Sequence, residues 1–202
     1  MSLKRLIRKI KYGKPIIIVS GLPRSGTSMM MKMLEAGGVE IASDGLRRAD
    51  DDNPKGYYEL ERVKELDKNK DTSWLRELRG KAVKIISYFL QELPADNNYA
   101  IIFIERSLKE ISQSQNKMLA HLGETTDPAK EDELLEKFEN HLKKVRYLIS
   151  NDPRFETIFV NHREVLNDPY EQAERVNKFL GERLNERKMA AVVDKALYRN
   201  RA

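Results

Sequence analysis

The chain has 202 residues, 40% of them hydrophobic, and this size suits one domain with a substantial core. Its 37 lysines and arginines exceed its 32 acidic residues, and the net charge of +5 favours anionic ligands without requiring nucleic acid. The absence of cysteine excludes disulfides, thiolate catalysis and cysteine-ligated metal sites. The longest early apolar run is too short for a membrane span, so we expect a cytoplasmic protein without one. Because the charge excess is mild, we expect no nucleic-acid partner.

The first fourteen residues form a basic amphipathic segment. Leu3, Leu6, Ile7 and Ile10 are spaced to share one face of a helix, with lysines and arginines around them. We expect this helix to pack its apolar face on the domain and to turn its basic residues outward. The alternative is that the segment lies on an anionic membrane surface.

Strand and helix patterns alternate through the rest of the chain. Short β-branched or apolar runs predict strands at 15–20, 81–86, 99–105 and 156–160. Helical patterns follow the first strand up to Gly37 and Gly38, and recur at 57–70, 73–79, 107–121, 131–150, 169–180 and 184–196. This alternation predicts an α/β fold class, a three-layer α/β/α P-loop-like domain with a central parallel sheet of about four to five strands.

A glycine-containing loop, GLPRSGTS, joins the first strand to the next helix. Its backbone N–H groups and the helix dipole suit a phosphate group. Gly21 and Gly26 match the glycines of a Walker A loop, but Thr27 stands where that motif has its lysine. Glu105 could imitate the acidic strand end that holds Mg²⁺, so a P-loop nucleotide kinase or NTPase stays open as an alternative.

The hexapeptide PRSGTS resembles the 5′-phosphosulfate-binding loop of sulfotransferases that use 3′-phosphoadenosine 5′-phosphosulfate (PAPS). The arginine form is similar to the branch that includes tyrosylprotein sulfotransferases and many bacterial enzymes. The resemblance implies that Arg24, Ser25, Gly26, Thr27 and Ser28 surround the 5′-phosphate. It also implies that Arg24 reaches the bridging oxygen of the donor.

A second motif resembles the 3′-phosphate site of the same family. Arg106 closes the third strand and Ser114 follows eight residues later in the next helix. An arginine fork and a hydroxyl suit a terminal phosphate. Near the end of the chain, Arg199 resembles the family's basic C-terminal loop, which also reaches the donor. The resemblance covers 15–181, within a single predicted domain over 1–202 whose residues 38–80 would form the acceptor side.

The predicted catalytic groups follow from the resemblance and from the chemistry of sulfuryl transfer. Lys84 resembles the lysine that steadies the leaving group, while the histidine that many members carry two residues later is here Ile86. For the general base the resemblance implies a carboxylate, either Asp44, twenty residues after Arg24, or Glu59. The three histidines form no metal-ligand pattern, and we expect no metal.

Together these features predict transfer of a sulfuryl group from PAPS, leaving 3′-phosphoadenosine 5′-phosphate (PAP), to a hydroxyl or amine of a small-molecule or glycan acceptor. A non-catalytic nucleotide-binding module on the same fold is a further alternative. Because 202 residues leave little room to build a deep acceptor pocket, a homo-oligomer could complete the site.

Overall fold

The computed structural model describes residues 3–45, 58–69, 71–121 and 131–194. Within these ranges a parallel sheet of four strands has the order β2-β1-β3-β4. The strands are β1 (Ile16–Gly21), β2 (Ala82–Lys84), β3 (Tyr99–Glu105) and β4 (Phe155–Asn161). The predicted α/β class and parallel sheet are confirmed, and each predicted strand is found within a few residues of its expected place.

The described ranges also contain seven α-helices and three 3₁₀ helices. The α-helices are α1 (Leu3–Tyr12), α2 (Thr27–Gly37), α3 (Leu108–His121), α4 (Glu131–Asn151), α5 (His162–Asn167), α6 (Pro169–Leu180) and α7 (Glu186–Ala191). The 3₁₀ helices are Glu61–Glu65, Ser73–Leu78 and Ser87–Glu92.

Three helix predictions need correction. The segments predicted at 57–70 and 73–79 contain short 3₁₀ helices, which bury only Val63 in the first and three apolar side chains in the second, and a short turn is enough for that. The last predicted helix, 184–196, is α7 and ends at Ala191. The short helix α5, which directly follows β4, was not predicted.

Alternate residues of each strand face opposite sides of the sheet, which produces three layers. Ile16 and Ile18 belong to a core that includes Val145 and Ile149 of α4 and the apolar residues of the 3₁₀ helices. Val19 belongs to the other core, whose helical members come from α2, α5, α6 and α7. Helices therefore cover both faces of the parallel sheet, as buried β-branched strands require.

The parallel register brings four strand ends to one edge. Gly21 pairs with Ile104, Val19 with Lys84, and Glu105 with Asn161. The loop after β1, Lys84, Arg106 and the start of α5 all follow from this carboxyl edge. In such sheets the carboxyl edge is where ligands bind.

The orientation of α1 contradicts the expected packing. Leu6, Ile7 and Ile10 are exposed rather than packed on the domain. The side chain of Arg8 instead turns inward and donates to the backbone carbonyls of Ala95 and Asn97. The helix is thus fixed through an arginine and backbone groups, because these hydrogen bonds replace the apolar contacts that amphipathicity predicted. In the described ranges, no helix combines the length and apolar character of a membrane span.

Candidate donor and acceptor site

The loop after β1 is built around backbone conformations that favour glycine. Gly21 has φ +151°, and a Cβ added there would lie 2.5 Å from Ser25 Oγ and 2.7 Å from the carbonyl oxygen of Ile104. Arg24 itself has φ +68°, a left-handed conformation that costs a non-glycine residue energy. The loop therefore holds its arginine in a strained turn, a feature often found at functional sites.

The start of α2 lies beside a buried hydroxyl. Gly26 is the N-cap residue, and as a glycine it has no side chain that could cap this helix end. The hydroxyl of Ser25 is buried and has no hydrogen-bond partner among the described residues. The positive end of the helix dipole points at the same place, so the loop suits an anion such as a phosphate group.

The two motifs predicted to bind the 5′-phosphate and the 3′-phosphate of one donor lie in contact. Arg24 Nε donates to Ser114 Oγ over 3.1 Å, although the residues are 90 positions apart. Arg106 Nη1 donates to the backbone carbonyl of Arg24 over 2.9 Å. Arg24 and Ser114 come from opposite motifs, and both lie within the same basic cluster. The structure thus brings the loop, Arg106 and Ser114 together at the carboxyl edge.

A buried glutamate, which the sequence analysis did not place in the site, organises this cluster. Glu110 is 1% exposed, and its carboxylate accepts from Arg106 Nε at 2.9 Å and from Arg163 Nη2 at 2.7 Å. The spacing of four residues between Arg106 and Glu110 is the signal that could have revealed the pair.

His162 packs directly against the loop between β1 and α2, where a phosphate group is predicted to bind. A Cβ on Gly26 would lie 2.4 Å from His162 Cδ2, so the imidazole occupies the space that a side chain at Gly26 would need. Burial, together with the nearby charge of Arg106, lowers the pKa of His162 to about 4. The imidazole is therefore neutral at physiological pH and supports the loop without adding positive charge.

Lys84 and Glu59 face each other at the end of β2. Lys84 Nζ lies 3.2 Å from Glu59 Oε1, and both side chains are largely buried. The second carboxylate oxygen of Glu59 is 3.4 Å from Lys64 Nζ. Two of the four predicted catalytic residues are thus in contact, with a carboxylate between two ammonium groups.

Asp44 lies beside this pair and contacts backbone groups. Its carboxylate accepts from the backbone N–H of Glu61 at 2.6 Å, and its own N–H donates to the carbonyl of Glu59 at 3.2 Å. These contacts cap the 3₁₀ helix Glu61–Glu65 and fix the backbone of Glu59. Asp44 therefore positions the segment that carries Glu59.

The segment that follows β2 contacts α4 through a hydrogen bond. Ser87 Oγ and His141 Nε2 are 2.9 Å apart, and the imidazole stacks on the ring of Tyr88 with centroids 3.9 Å apart. Burial lowers the pKa of His141. This contact holds the segment that follows Lys84 and so fixes the end of the strand.

Some predicted site residues are buried or lie outside the description. Thr27 is buried at the first position of α2, and Trp74, an expected acceptor-side residue, is buried in the core, where Arg62 lies over its ring. Arg199 falls outside the described residues. Among the residues that the structure does describe, no group of histidine, aspartate and glutamate side chains could hold a metal ion.

Comparisons with known proteins identify a family. Residues 14–201 match the family described as sulfotransferase domain. Among solved structures, the chain is similar to the sulfotransferase domain from the curacin biosynthetic pathway, with 15% identity and a TM-score of 0.49 over 91% of this chain and 89% of that one. No curated protein matches the chain.

Proposed function

The chain belongs to the sulfotransferase family, and on that premise we propose that it transfers a sulfuryl group from PAPS to a hydroxyl or amine of a small-molecule or glycan acceptor. The observation that carries the proposal is the contact between Arg24 and Ser114, which joins the two phosphate motifs into one basic site. A donor that carries phosphates on both the 3′ and the 5′ position of one ribose suits two such neighbouring motifs.

The residues present fit this donor. The buried hydroxyl of Ser25 and the amino-terminal end of α2 would receive the 5′-phosphosulfate, with Arg24, Gly26, Thr27 and Ser28 around it. Arg106 and Ser114 would receive the 3′-phosphate, and Arg199 is a further proposed contact. When bound, the donor supplies an activated sulfuryl group on a phosphosulfate anhydride.

Two cations of the chain are suited to stabilise the departing phosphate. Arg24 is held in the loop, and Lys84 is held at the end of β2 by its contact with Glu59. Cations fixed in a partly buried cleft stabilise developing negative charge more than flexible surface cations, because they need no reorganisation. This role requires no metal ion.

Glu59 is our proposed general base. Its carboxylate lies beside Lys84, so a hydroxyl or amine that reached this lysine would also reach a proton acceptor. Asp44 is the weaker candidate, since its carboxylate caps the helix at Glu61. Both residues belong to the segment 38–80, which we propose as the acceptor side of a single domain.

The kinase or NTPase alternative gains no support from the arrangement. Glu105, the candidate acidic strand end, forms an ion pair with Arg146 of α4. That arginine competes with the Mg²⁺ that a kinase would need there. The non-catalytic alternative shares the donor site with our proposal and differs only in turnover. We further propose a cytoplasmic location and the possibility of a homo-oligomer that completes the acceptor pocket.

The proposal is tested by following the labelled sulfuryl group. The purified chain is incubated with sulfur-labelled PAPS and panels of phenols, alcohols, glycans and amines, without added Mg²⁺. We expect label in at least one acceptor class and its loss in Arg24→Ala. Tight binding of PAP with no transfer to any panel would favour the non-catalytic module, and Mg²⁺-dependent ATP turnover would favour the kinase.

A further inference from the structure

Helix α1 presents an apolar face to solvent. Ile10 lies four residues after Leu6 and three residues after Ile7, so the three side chains share one side of the helix. Their exposed fractions are 42%, 54% and 79%. Isolated exposed apolar residues are normal, but three together on one short helix form a surface that calls for a partner.

The opposite side of α1 is fixed to the domain. Arg8 Nη2 lies 2.9 Å from the carbonyl of Ala95 and 2.6 Å from that of Asn97, while Asn98 Nδ2 donates to the carbonyl of Arg8 at 2.9 Å. The helix is therefore held with its apolar face outward by specific polar contacts. This orientation does not depend on burying the three apolar side chains.

The segment that carries this face is strongly basic. Lys9, Lys11 and Lys14 are exposed, and the first acidic residue of the chain is Glu35. A second copy of the chain would present the same basic helix and be repelled, whereas an anionic lipid surface offers both opposite charge and an apolar interior. We propose that α1 is a docking surface for an anionic lipid bilayer.

The dimensions of α1 define how it would bind. Ten residues of helix extend about 15 Å, half of the roughly 30 Å hydrocarbon core, so α1 would lie in the interface rather than span it. Its apolar side would enter the boundary between headgroups and acyl chains, with the lysines at the level of the phosphates.

The attachment would leave the candidate site open. Residues 95–98, which hold α1, precede β3 and so lie at the amino edge of the sheet, whereas the phosphate loop lies at the carboxyl edge. The seven residues of β3 separate these edges by about 20 Å. A docked protein would therefore turn its site away from the lipid surface, toward water-soluble donor and acceptor.

The test is co-sedimentation of the full chain with vesicles of phosphatidylcholine alone and of phosphatidylcholine with about one third phosphatidylserine. We expect binding only to the anionic vesicles, weakened by salt. The exposed double variant Ile7→Ser/Ile10→Ser should lower the partition coefficient by about 10- to 100-fold, and Lys9→Gln or Lys11→Gln by about fivefold each. Tyr147→Ser, which alters an equally exposed side chain on α4, is the matched control and should change nothing.

Sedimentation velocity without lipid tests whether the apolar face of α1 instead binds a second copy of the chain. We expect a species whose mass is the same in wild type and Ile7→Ser/Ile10→Ser. A wild-type dimer that this variant dissociates would overturn the proposal, since the apolar face would then join two copies. The proposal also fails when anionic vesicles do not sediment the wild type, or when Tyr147→Ser weakens binding as much as the α1 variant. None of these readouts depends on sulfuryl transfer.

Discussion

Replacing Gly26 by alanine tests how the phosphate loop is held. Gly26 has φ +107°, where alanine is strained by about 1–2 kcal/mol. Its new Cβ would also lie 2.4 Å from Cδ2 of the buried His162 ring, and such overpacking costs about 1–3 kcal/mol more. We therefore expect Gly26→Ala to lower the free energy of unfolding by about 2–5 kcal/mol, and to weaken PAP binding because the loop must shift.

Gly38 provides a matched control. Its φ is +100°, nearly that of Gly26, but nothing lies within 4 Å of an added Cβ. Gly38→Ala should therefore show only the backbone strain of about 1–2 kcal/mol and normal PAP binding. Urea denaturation and calorimetric titration measure both effects, and His162→Ala added to Gly26→Ala should restore part of the loss. Equal effects of Gly26→Ala and Gly38→Ala would refute the role assigned to the imidazole.

Three further predictions concern ionisable side chains. In the unfolded chain His162 has its usual pKa of 6.5, whereas folding lowers that pKa to about 4. The unfolded state therefore binds more protons between these pH values. The free energy of unfolding should fall as the pH decreases through this range, by at most about 1.4 kcal/mol per pH unit. Urea unfolding at several pH values should show a shallower dependence in His162→Gln, and an unchanged slope would contradict the assignment. Glu110→Ala leaves buried guanidinium charge unpaired and should lower the free energy of unfolding by about 3 kcal/mol, while Glu133→Ala, in a fully exposed pair, should leave the urea midpoint unchanged. Glu59→Gln should lower kcat by about 10²- to 10⁴-fold, whereas Asp44→Asn should mainly reduce stability; the reverse pattern in steady-state kinetics would make Asp44 the base.

The sheet and the phosphate loop were predictable because their signals are local. The apolar runs around Ile16–Gly21 and Tyr99–Glu105 have no other stable place than a buried parallel sheet. The loop between β1 and α2 can be recognised by its glycines, which stand at positions where a Cβ would clash. Local sequence therefore sufficed to predict that Arg24 and Arg106 come from the same edge of the sheet.

The remaining features depend on contacts between distant parts of the chain. Glu110 joins Arg163, 53 positions away, and Lys84 meets Glu59, 25 positions away. No local pattern specifies such partners, since each residue alone resembles an ordinary surface charge. The packing of α1 was predicted wrongly for the same reason. Amphipathicity identified its apolar face, but the carbonyl groups of Ala95 and Asn97 decided which face turns inward.

The most direct test of the central claim is a calorimetric titration of the protein with PAP and with ATP, each with and without Mg²⁺. A shared basic site formed by the Arg24 loop, Arg106 and Ser114 predicts PAP binding that needs no Mg²⁺ and is weakened about tenfold or more in Ser114→Ala, through loss of a hydrogen bond to a charged group. Preference for ATP with Mg²⁺, or PAP binding indifferent to Ser114→Ala, would contradict the account.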